Sequence, residues 1–346
     1  MKNKRGILIL RIILFVGTAI SLYYVPWPIL TAWIKPLPDT VQEQVEEAIP
    51  MGFDGIIVYV DQKGKAPAFY AAGTKNKAQN IPADPHALFK IASVSKLYNA
   101  LAIAKLVRSG KLSLDQTLAF YLPELKERIE YADKITLRLM VQHRSGIPNF
   151  TNTKDYWLDP KSTYEENIAL ILDQPANFAP GKSYEYCNTN YLLLAHIMDE
   201  VLGYSSAKYI KKEILDPLNL NNTFSSIKDV NIDDVMSGYY VGYEPDLKTN
   251  DMGSMLATAD DLGTFIRALN DGSIFKDREE QDIYSSIYVY EHTGLIPGYQ
   301  TIAKYHKAID AVVIQFTNTV DFNGYNWNLS EVEYNRVIKI LEKEQQ

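Results

Sequence analysis

The stretch of sequence that decides the fold is residues 89–103, which read FKIASVSKLYNALAI. Apolar residues at helical spacing follow Ser93 and Lys96 and predict a helix that begins near these two residues. Residues three apart share one face of a helix, so the Ser93 hydroxyl and the Lys96 ammonium can meet. A serine needs a nearby base, and a lysine serves as that base when burial lowers its pKa. Ser-x-x-Lys alone also fits a helix cap followed by a solvated lysine, so other motifs must decide.

A second motif spans residues 184–191, YEYCNTNY, and precedes another apolar helical run. Tyr186 and Asn188 are two apart, so in an extended segment they point the same way. Asn188 offers an amide donor and acceptor to a substrate. Tyr186 can relay a proton if a nearby cation lowers its pKa. The alternative is a tyrosine-rich loop that caps the next helix through Asn188 or Asn190.

A third motif spans residues 291–299, EHTGLIPGY, after a predicted strand at 286–290. Gly294 allows a ligand backbone to approach the strand edge closely. A histidine without perturbation titrates near about pH 6.5, so His292 is expected to be only marginally charged at neutral pH. The alternative is a simple hairpin corner at Pro297 and Gly298.

The strand and helix signals along the chain predict an α+β fold. β-rich segments occur early and late, at 55–61, 68–72, 299–305 and 311–318. Helical patterns occupy 39–48, with Asp39 or Thr40 as the cap, and about 330–344. Between Ser93 and about Leu269 the pattern is helical, with stops at Gly110 and Gly203.

This order predicts one antiparallel sheet built from both chain ends, flanked by helices, with a largely helical insert. The sheet is expected from about 39–75 and 276–346, and the insert from about 76–275. Residues 39–346 then form one catalytic unit, and 1–38 form a cytoplasmic tip, an anchor and a spacer. A cleft is expected at the seam between sheet and helices.

Composition excludes several classes of function. The chain has 346 residues, with 35 basic and 42 acidic side chains and a net charge of −7, a poor match for nucleic acid. The single cysteine, Cys187, excludes an intrachain disulfide and a cysteine-rich zinc site; we expect a buried or half-buried thiol. The five histidines lack metal-binding spacing, so neither a metal nor a cofactor is expected.

The N-terminal segment bears on location. Residues 6–25 are apolar except for Arg11, which is close to the length that spans a bilayer. Lys2, Lys4 and Arg5 predict a cytoplasmic N-terminus, so we expect a single-pass cell-membrane protein with an extracytoplasmic domain. The alternative is a signal peptide cleaved after Ser21. Four prolines between 26 and 38 predict a stiff spacer.

Taken in order, Ser-x-x-Lys, Tyr-x-Asn and His-Thr-Gly resemble the serine β-lactamase and penicillin-binding protein superfamily. The likeness is to the branch of class C β-lactamases and D-alanyl-D-alanine carboxypeptidases. Residues 135–148, ITLRLMVQHRSGIP, and 258–262, TADDL, also resemble segments of that family. The family often has lysine in place of His292 and a small residue in place of Leu295.

The resemblance implies a role for each site residue. Ser93 would be the nucleophile, and Lys96 with Tyr186 would take its proton. The N–H groups of Ser93 and Leu295 would form the oxyanion hole. The substrate would be positioned by three further residues, namely Asn188, His292 and Thr293, beside Gly294.

The expected function is that of a membrane-anchored, extracytoplasmic serine hydrolase of the bacterial cell envelope, acting through an acyl-enzyme. Its substrate would be a small molecule or peptide with an amide, ester or lactam carbonyl, such as a D-peptide, a β-lactam or a peptidoglycan stem peptide. No nucleic-acid partner is expected. The alternative is a catalytically impaired penicillin-binding surface sensor or binding protein of the same fold, which His292 and Leu295 favour.

Overall fold

A computed structural model describes residues 2–345, with side chains from Arg5 onward. Its helices, α1 to α12 in chain order, are Lys2–Tyr23, Trp27–Ile34, Val41–Ala48, Ser95–Arg108, Leu118–Tyr121, Leu137–Val141, Tyr164–Ala169, Asn188–Leu202, Ser206–Ile210, Ala259–Asp271, Arg278–Ile287 and Asn326–Lys343. Its strands, β1 to β11, are Gly55–Gln62, Ala68–Asn76, Ile81–Pro82, Phe89–Lys90, Thr223–Phe224, Tyr239–Tyr240, Leu256–Ala257, His292–Ile296, Tyr299–His306, Ala311–Thr317 and Thr319–Val320.

The main sheet joins the two ends of the chain. Its strand order is β3-β2-β1-β10-β9-β8, and its neighbouring strands are antiparallel. The early strand β1 pairs with the late strand β10, with Ile56 opposite Thr317. The α+β fold with an antiparallel sheet, predicted from the early and late β-rich segments, is confirmed. Strand β8, which carries the His-Thr-Gly motif, is an edge strand.

The two faces of this sheet are covered by different layers. Along β1, Ile56, Val58 and Val60 belong to a core shared with α3 and α12. The residues between them, Ile57 and Tyr59, belong to the large core of the helical block, which is the insert predicted at about 76–275. Successive strand residues point to opposite faces, so this alternation separates the two cores.

Three helix ends follow the signals predicted from the sequence. Helix α8 ends at Gly203, whose φ of 70° is the left-handed conformation that glycine adopts easily. The chain leaves α4 at Gly110 with a similar φ of 72°. Of the two predicted caps for α3, Thr40 is the one used, in a reciprocal capping box with Glu43.

The predicted strand at 286–290 is wrong. Helix α11 extends to Ile287 instead, because the Asp277 side chain accepts the N–H of Glu280 and caps the helix start. Tyr284 and Ile287 are buried, so their helical spacing outweighs the β-propensity of this tyrosine-rich segment. The final helix also begins earlier than predicted, at Asn326.

Residues 26–38 were predicted as a stiff spacer between membrane and domain, and most of them form a helix that packs on the domain. Residues Trp27–Ile34 form α2, with Pro28 in its first turn, where a missing N–H costs nothing. Ala32 is buried in the core shared with α3 and α12. The proline pattern therefore marks a helix start here, and the segment packs on the sheet domain.

Candidate active site

Ser93 lies in a tight turn, Ala92–Val94, immediately before α4. Ala92 has a φ of 49°, a conformation that costs energy for any residue other than glycine. The turn is held on both sides, since the Ala92 N–H donates to Ser254 Oγ at 2.8 Å and Ser95 Oγ donates to the Ala92 carbonyl at 2.6 Å. Ser95 is thus a support of the turn, which leaves Ser93 half-exposed at the cleft.

Lys96 meets Ser93 as the helical spacing predicts. Its Nζ lies 3.2 Å from Ser93 Oγ and donates to Asn188 Oδ1 at 2.9 Å. Burial lowers the pKa of Lys96 to about 7, and no carboxylate pairs with it within the described residues. A substantial fraction of Lys96 is therefore neutral at physiological pH and can accept a proton.

Tyr186 and Asn188 both reach Lys96. The ammonium lies 4.9 Å from the centre of the Tyr186 ring, and Asn188 is the first residue of α8. Burial raises the pKa of Tyr186 to about 12, while its interaction with the Ser93 hydroxyl opposes this rise. The condition on which the sequence allowed Tyr186 to relay a proton, a pKa lowered by a cation, is therefore not met, and Tyr186 is a neutral phenol at physiological pH.

The edge strand β8 lies against the Ser93 turn. A Cβ atom on Gly294 would lie 2.4 Å from the Ile91 carbonyl oxygen and 2.9 Å from the Ala92 Cβ. Glycine is therefore needed for contact between β8 and the turn, rather than only for approach of a ligand as the sequence suggested. Thr293 points to the other face of the strand by alternation, and with Glu291, His292 and Lys304 it lines a separate surface pocket rather than the cavity beside Ser93.

His292 is neutral over a wider pH range than the sequence suggested. Burial lowers its pKa to about 4, and the nearby Lys96 charge acts in the same direction, although a hydrogen bond to the Thr293 backbone opposes both. Its Nδ1 donates to the Thr293 carbonyl, which leaves Nε2 to accept the Tyr288 hydroxyl at 3.0 Å. This pairing satisfies a neutral ring, so the expected marginal charge at pH 7 is wrong.

His143 is a site residue whose role the sequence did not reveal. Its ring stacks on Tyr186 with centres 4.4 Å apart, and its Nδ1 accepts the N–H of Cys187 at 3.1 Å. Burial lowers the pKa of His143 to about 3, with further lowering from Lys96 and His292. His143 therefore holds the Tyr-x-Asn segment in place. Cys187 is a buried thiol, as expected.

Asn149 and Thr151 are two further residues that the motifs did not indicate. The Asn149 side chain accepts the N–H of Asn188 at 3.1 Å, and Thr151 Oγ1 accepts a hydrogen from Asn188 Nδ2 at 3.0 Å. They fix the amide so that its oxygen faces Lys96. The only sequence signal for them is their place directly after the family-like segment 135–148.

A cavity of about 330 Å³ opens beside Ser93 and Lys96. Leu295 lines it near the serine, as does Asn188. Its wall contains aromatic and aliphatic side chains and also polar ones. The first group includes Phe150, Tyr156, Trp157, Leu192 and Ile296, and the second includes Lys161, Ser162, Thr163 and Asp251. The arrangement joins a nucleophile, a weakly basic lysine and a pocket with both apolar and polar walls, which suits attack on a carbonyl carbon.

Two of the known proteins that resemble this chain differ in how much of the chain they match. Protein flp of Staphylococcus aureus (strain N315) is 27% identical over 201 residues, which are 56% of this chain but 40% of that protein. The chain thus spans less than half the length of that relative. The protein PbpX of Bacillus subtilis (strain 168) is 25% identical over 315 residues, or 85% of this chain and 76% of that protein.

Among solved structures, the D-amino acid amidase from Ochrobactrum anthropi SV3 complexed with L-phenylalanine has the same fold. Its TM-score is 0.77 at 21% identity, over 88% of this chain and 98% of that one. A family model described as Beta-lactamase matches residues 39–288. That segment contains Ser93, Lys96 and Asn188 and covers well over half of the chain, so the protein belongs to the Beta-lactamase family of the serine β-lactamase and penicillin-binding protein superfamily.

Proposed function

We propose that the protein is a membrane-anchored serine hydrolase that acts through an acyl-enzyme on an amide, ester or lactam carbonyl. The observation that carries the proposal is the contact between Ser93 Oγ and Lys96 Nζ at 3.2 Å, with the pKa of Lys96 lowered to about 7. A lysine that only paired with solvent or with a carboxylate would keep its charge and could not take the serine proton.

The first step is attack of Ser93 Oγ on the carbonyl carbon. The hydroxyl proton passes to neutral Lys96, whose orientation is set by the hydrogen bond to Asn188. Tyr186 stays a phenol, so it is suited to hand a proton to the leaving group and to take one back from Lys96. Water then attacks the acyl-enzyme, and the same groups run the proton transfers in reverse.

The negative charge on the carbonyl oxygen is held by backbone N–H groups. Ser93 lies in the first turn before α4, where N–H groups have no partner inside the helix. Strand β8 pairs Ile296 with Tyr299 across the two-residue turn at Pro297 and Gly298. Hydrogen-bonding direction alternates along an edge strand, so the Leu295 N–H is expected to point away from β9, toward the cleft. This supports Ser93 and Leu295 as the oxyanion hole.

The cavity favours an acyl group with an apolar side chain. Tyr156 and Trp157 give such a group an apolar surface, beside polar residues that include Lys161 and Thr163. His292 is neutral and supplies no charge for a substrate carboxylate. The amidase whose fold this chain shares acts on D-amino acid amides by its name, which supports an amino-acid amide or D-peptide as the substrate class.

The N-terminal helix supports attachment to a membrane. Residues Arg5–Tyr23 of α1 form a span of 19 residues, none of it buried against the rest of the chain. An exposed apolar helix of this length is stable in lipid and unfavourable in water. A signal peptide has the same properties, so membrane retention is part of the proposal to be tested.

Covalent labelling tests the chemistry. The protein is incubated in separate reactions with a fluorescent penicillin and with a fluorophosphonate, and its intact mass is followed over time. We expect one adduct with each reagent, both absent in Ser93→Ala. The penicilloyl adduct should be lost as water releases the acyl group, whereas the phosphonyl adduct, formed with loss of fluoride, should persist. A lasting penicillin adduct would indicate a receptor-like sensor, and no adduct with either reagent would indicate a binding protein. A panel of D-peptides and p-nitrophenyl esters then identifies the acyl group.

A further inference from the structure

Helix α2 has an exposed apolar face that the protein itself does not cover. We propose that this face lies in the membrane–water interface and holds the catalytic cleft on the side of the domain that faces away from the lipid. The inference rests on the proposed membrane anchor and adds a fixed orientation to it. Its consequence is a substrate class: molecules or polymers in the aqueous phase rather than molecules embedded in the bilayer.

The inner face of α2 is fastened to the domain by Arg336 of α12. The Arg336 guanidinium donates to the carbonyls of Ala32, Lys35 and Pro36 at 3.3, 2.7 and 2.8 Å. These carbonyls lie at and just beyond the end of α2, where the helix leaves them without partners. Only 4% of Arg336 is exposed, so water competes little for these bonds.

The same arginine joins α2 to a second element. Its Nε donates to Gln44 Oε1 of α3 at 2.7 Å, and Gln44 in turn donates to Glu333 of α12 at 2.5 Å. All three polar side chains are buried. Partial loss of such a network is costly, because it leaves buried groups without partners. Helix α2 is therefore a fixed part of the domain and not a loose tether.

The outer face of α2 is apolar as well. Trp27, Trp33 and Ile34 are 48%, 67% and 63% exposed, and the helix sequence WPILTAWI has no charged residue. A helix that is apolar on every side is normally covered all round. Tryptophan is enriched where a membrane meets water, which identifies the bilayer interface as the cover.

The short connection to α1 keeps α2 close to the end of the proposed membrane span. Helix α1 ends at Tyr23 and α2 begins at Trp27, so four residue steps separate them, roughly 14 Å at full extension. The Trp27 indole N–H also donates to the Leu22 carbonyl at 3.0 Å, which keeps the two helices close. If α1 crosses a bilayer, α2 is held at its surface.

The layers of the fold then place the cleft. Helices α2, α3 and α12 share the core on one face of the sheet, whereas Ala92 and Val94, on either side of Ser93, belong to the core on the other face. The sheet thus separates α2 from Ser93. Each packed layer adds roughly 10 Å, so the two are expected to be roughly 20 Å apart.

Depth-dependent quenching of tryptophan tests the docking. The chain has four tryptophans, so two single-tryptophan forms of the full-length protein can be made, one keeping Trp33 and one keeping Trp157 in the cavity wall. Both are reconstituted in vesicles whose lipids carry bromine at a shallow acyl position. We expect strong quenching of Trp33 and none of Trp157.

Each outcome bears on a different part of the inference. An unquenched Trp33 in vesicle-bound protein would overturn the docking of α2, and a quenched Trp157 would overturn the orientation. Protein that does not sediment with vesicles would overturn the anchor and the docking together. Because this readout needs no catalysis, it stands even if the proposed hydrolysis fails.

Two further measurements test the fastening and the substrate class. Arg336→Lys keeps the charge but cannot reach three carbonyls, so we expect faster proteolysis between residues 24 and 40 while Ser93 labelling is retained. Equal proteolysis in both proteins would overturn the fastening. A water-soluble ester should be hydrolysed at least tenfold faster than the same acyl group on a lipid-embedded alcohol, and equal rates would overturn the substrate class.

Discussion

Lys96 gives the clearest prediction at the scale of single residues. Lys96→Ala should slow acylation of Ser93 by roughly 10²–10⁴-fold, the usual contribution of a general base. Lys96→Arg should restore little, because arginine stays charged. The measurement is the rate of adduct formation by intact mass, with surface Lys111→Ala as the matched control. An unchanged rate in Lys96→Ala would remove Lys96 from the mechanism.

The lowered pKa of Lys96 also sets a pH dependence. The base is the neutral amine, so acylation should increase as pH rises through about 7 and should level off above it. Neighbouring groups do not change charge in this window. The pKa values of Tyr186, His292 and His143 are about 12, about 4 and about 3, and burial raises the pKa of the Cys187 thiol. A rate that still climbs steeply between pH 8 and 10 would show that Lys96 keeps an ordinary pKa.

His292 predicts selectivity that does not vary with pH. Its pKa of about 4 makes it neutral from pH 5.5 to 9, so the preference for neutral over carboxylate-bearing esters should be constant over that range. His292→Lys should raise kcat/KM for the carboxylate esters about tenfold, the scale of one charge-assisted hydrogen bond. Matched ester pairs on both proteins provide the measurement. A preference in wild type that changes near pH 6.5 would contradict the neutral, half-buried ring.

The sequence could predict pairs of residues whose spacing brings them together. Ser93 and Lys96 meet because three residues make nearly one helical turn, and that rule needs no tertiary information. The stacking of His143 on Tyr186 joins two segments that only the folded insert brings close. The charge states of Tyr186 and His292 also depend on burial, which a sequence does not specify. These are the features that sequence reasoning missed or assigned wrongly.

At the scale of secondary structure, the contact between β8 and the Ser93 turn carries a prediction. Gly294→Ala would place a methyl group within 2.4 Å of the Ile91 carbonyl oxygen, so the edge strand must move away from the turn. We expect a loss of labelling of at least about 10²-fold, because removing one oxyanion donor alone has that scale. Exposed Glu291→Ala, just before the strand, is the control. Normal labelling of Gly294→Ala would show that this contact is not needed.

Element prediction succeeded where local signals agreed with packing. The capping box at Thr40 and the stop at Gly203 rely on backbone groups within a few residues, so the sequence contains the cause. Residues 286–290 were misassigned because burial of Tyr284 and Ile287 in the helical block outweighed their preference for strands. The prolines after residue 25 predict a spacer because the sequence around them does not contain their packing partner. That partner is Arg336, which donates to the Pro36 carbonyl from 300 residues further along the chain.

For the whole molecule, the testable property is topology. A reporter fused after Asp39 should be active only if that reporter functions outside the cytoplasm, because the basic residues at the start of α1 favour retention of the N-terminus inside. Positive charge beside a membrane span favours the cytoplasmic side. Replacing Lys2, Lys4 and Arg5 with acidic residues, which reverses that charge, provides the control. Cytoplasmic activity of the first fusion would contradict the topology. A mature protein that starts at Leu22 would show cleavage instead of anchoring.

The pairing of β1 with β10 also has a consequence for how the protein matures. Ile56 finds its partner Thr317 only after nearly the whole polypeptide has been synthesised. Contacts between such distant residues form slowly, because a long loop must close before they are gained. With the N-terminus retained inside, as proposed, the part of the chain after α1 would therefore stay unfolded until its late strands had crossed, which is the state that passage through a narrow channel requires. Strand β8 joins the sheet only through β9, so the cleft is among the last parts of the domain to assemble. Under the proposed topology it would form only after export, and the compartment of synthesis would be protected from the proposed chemistry.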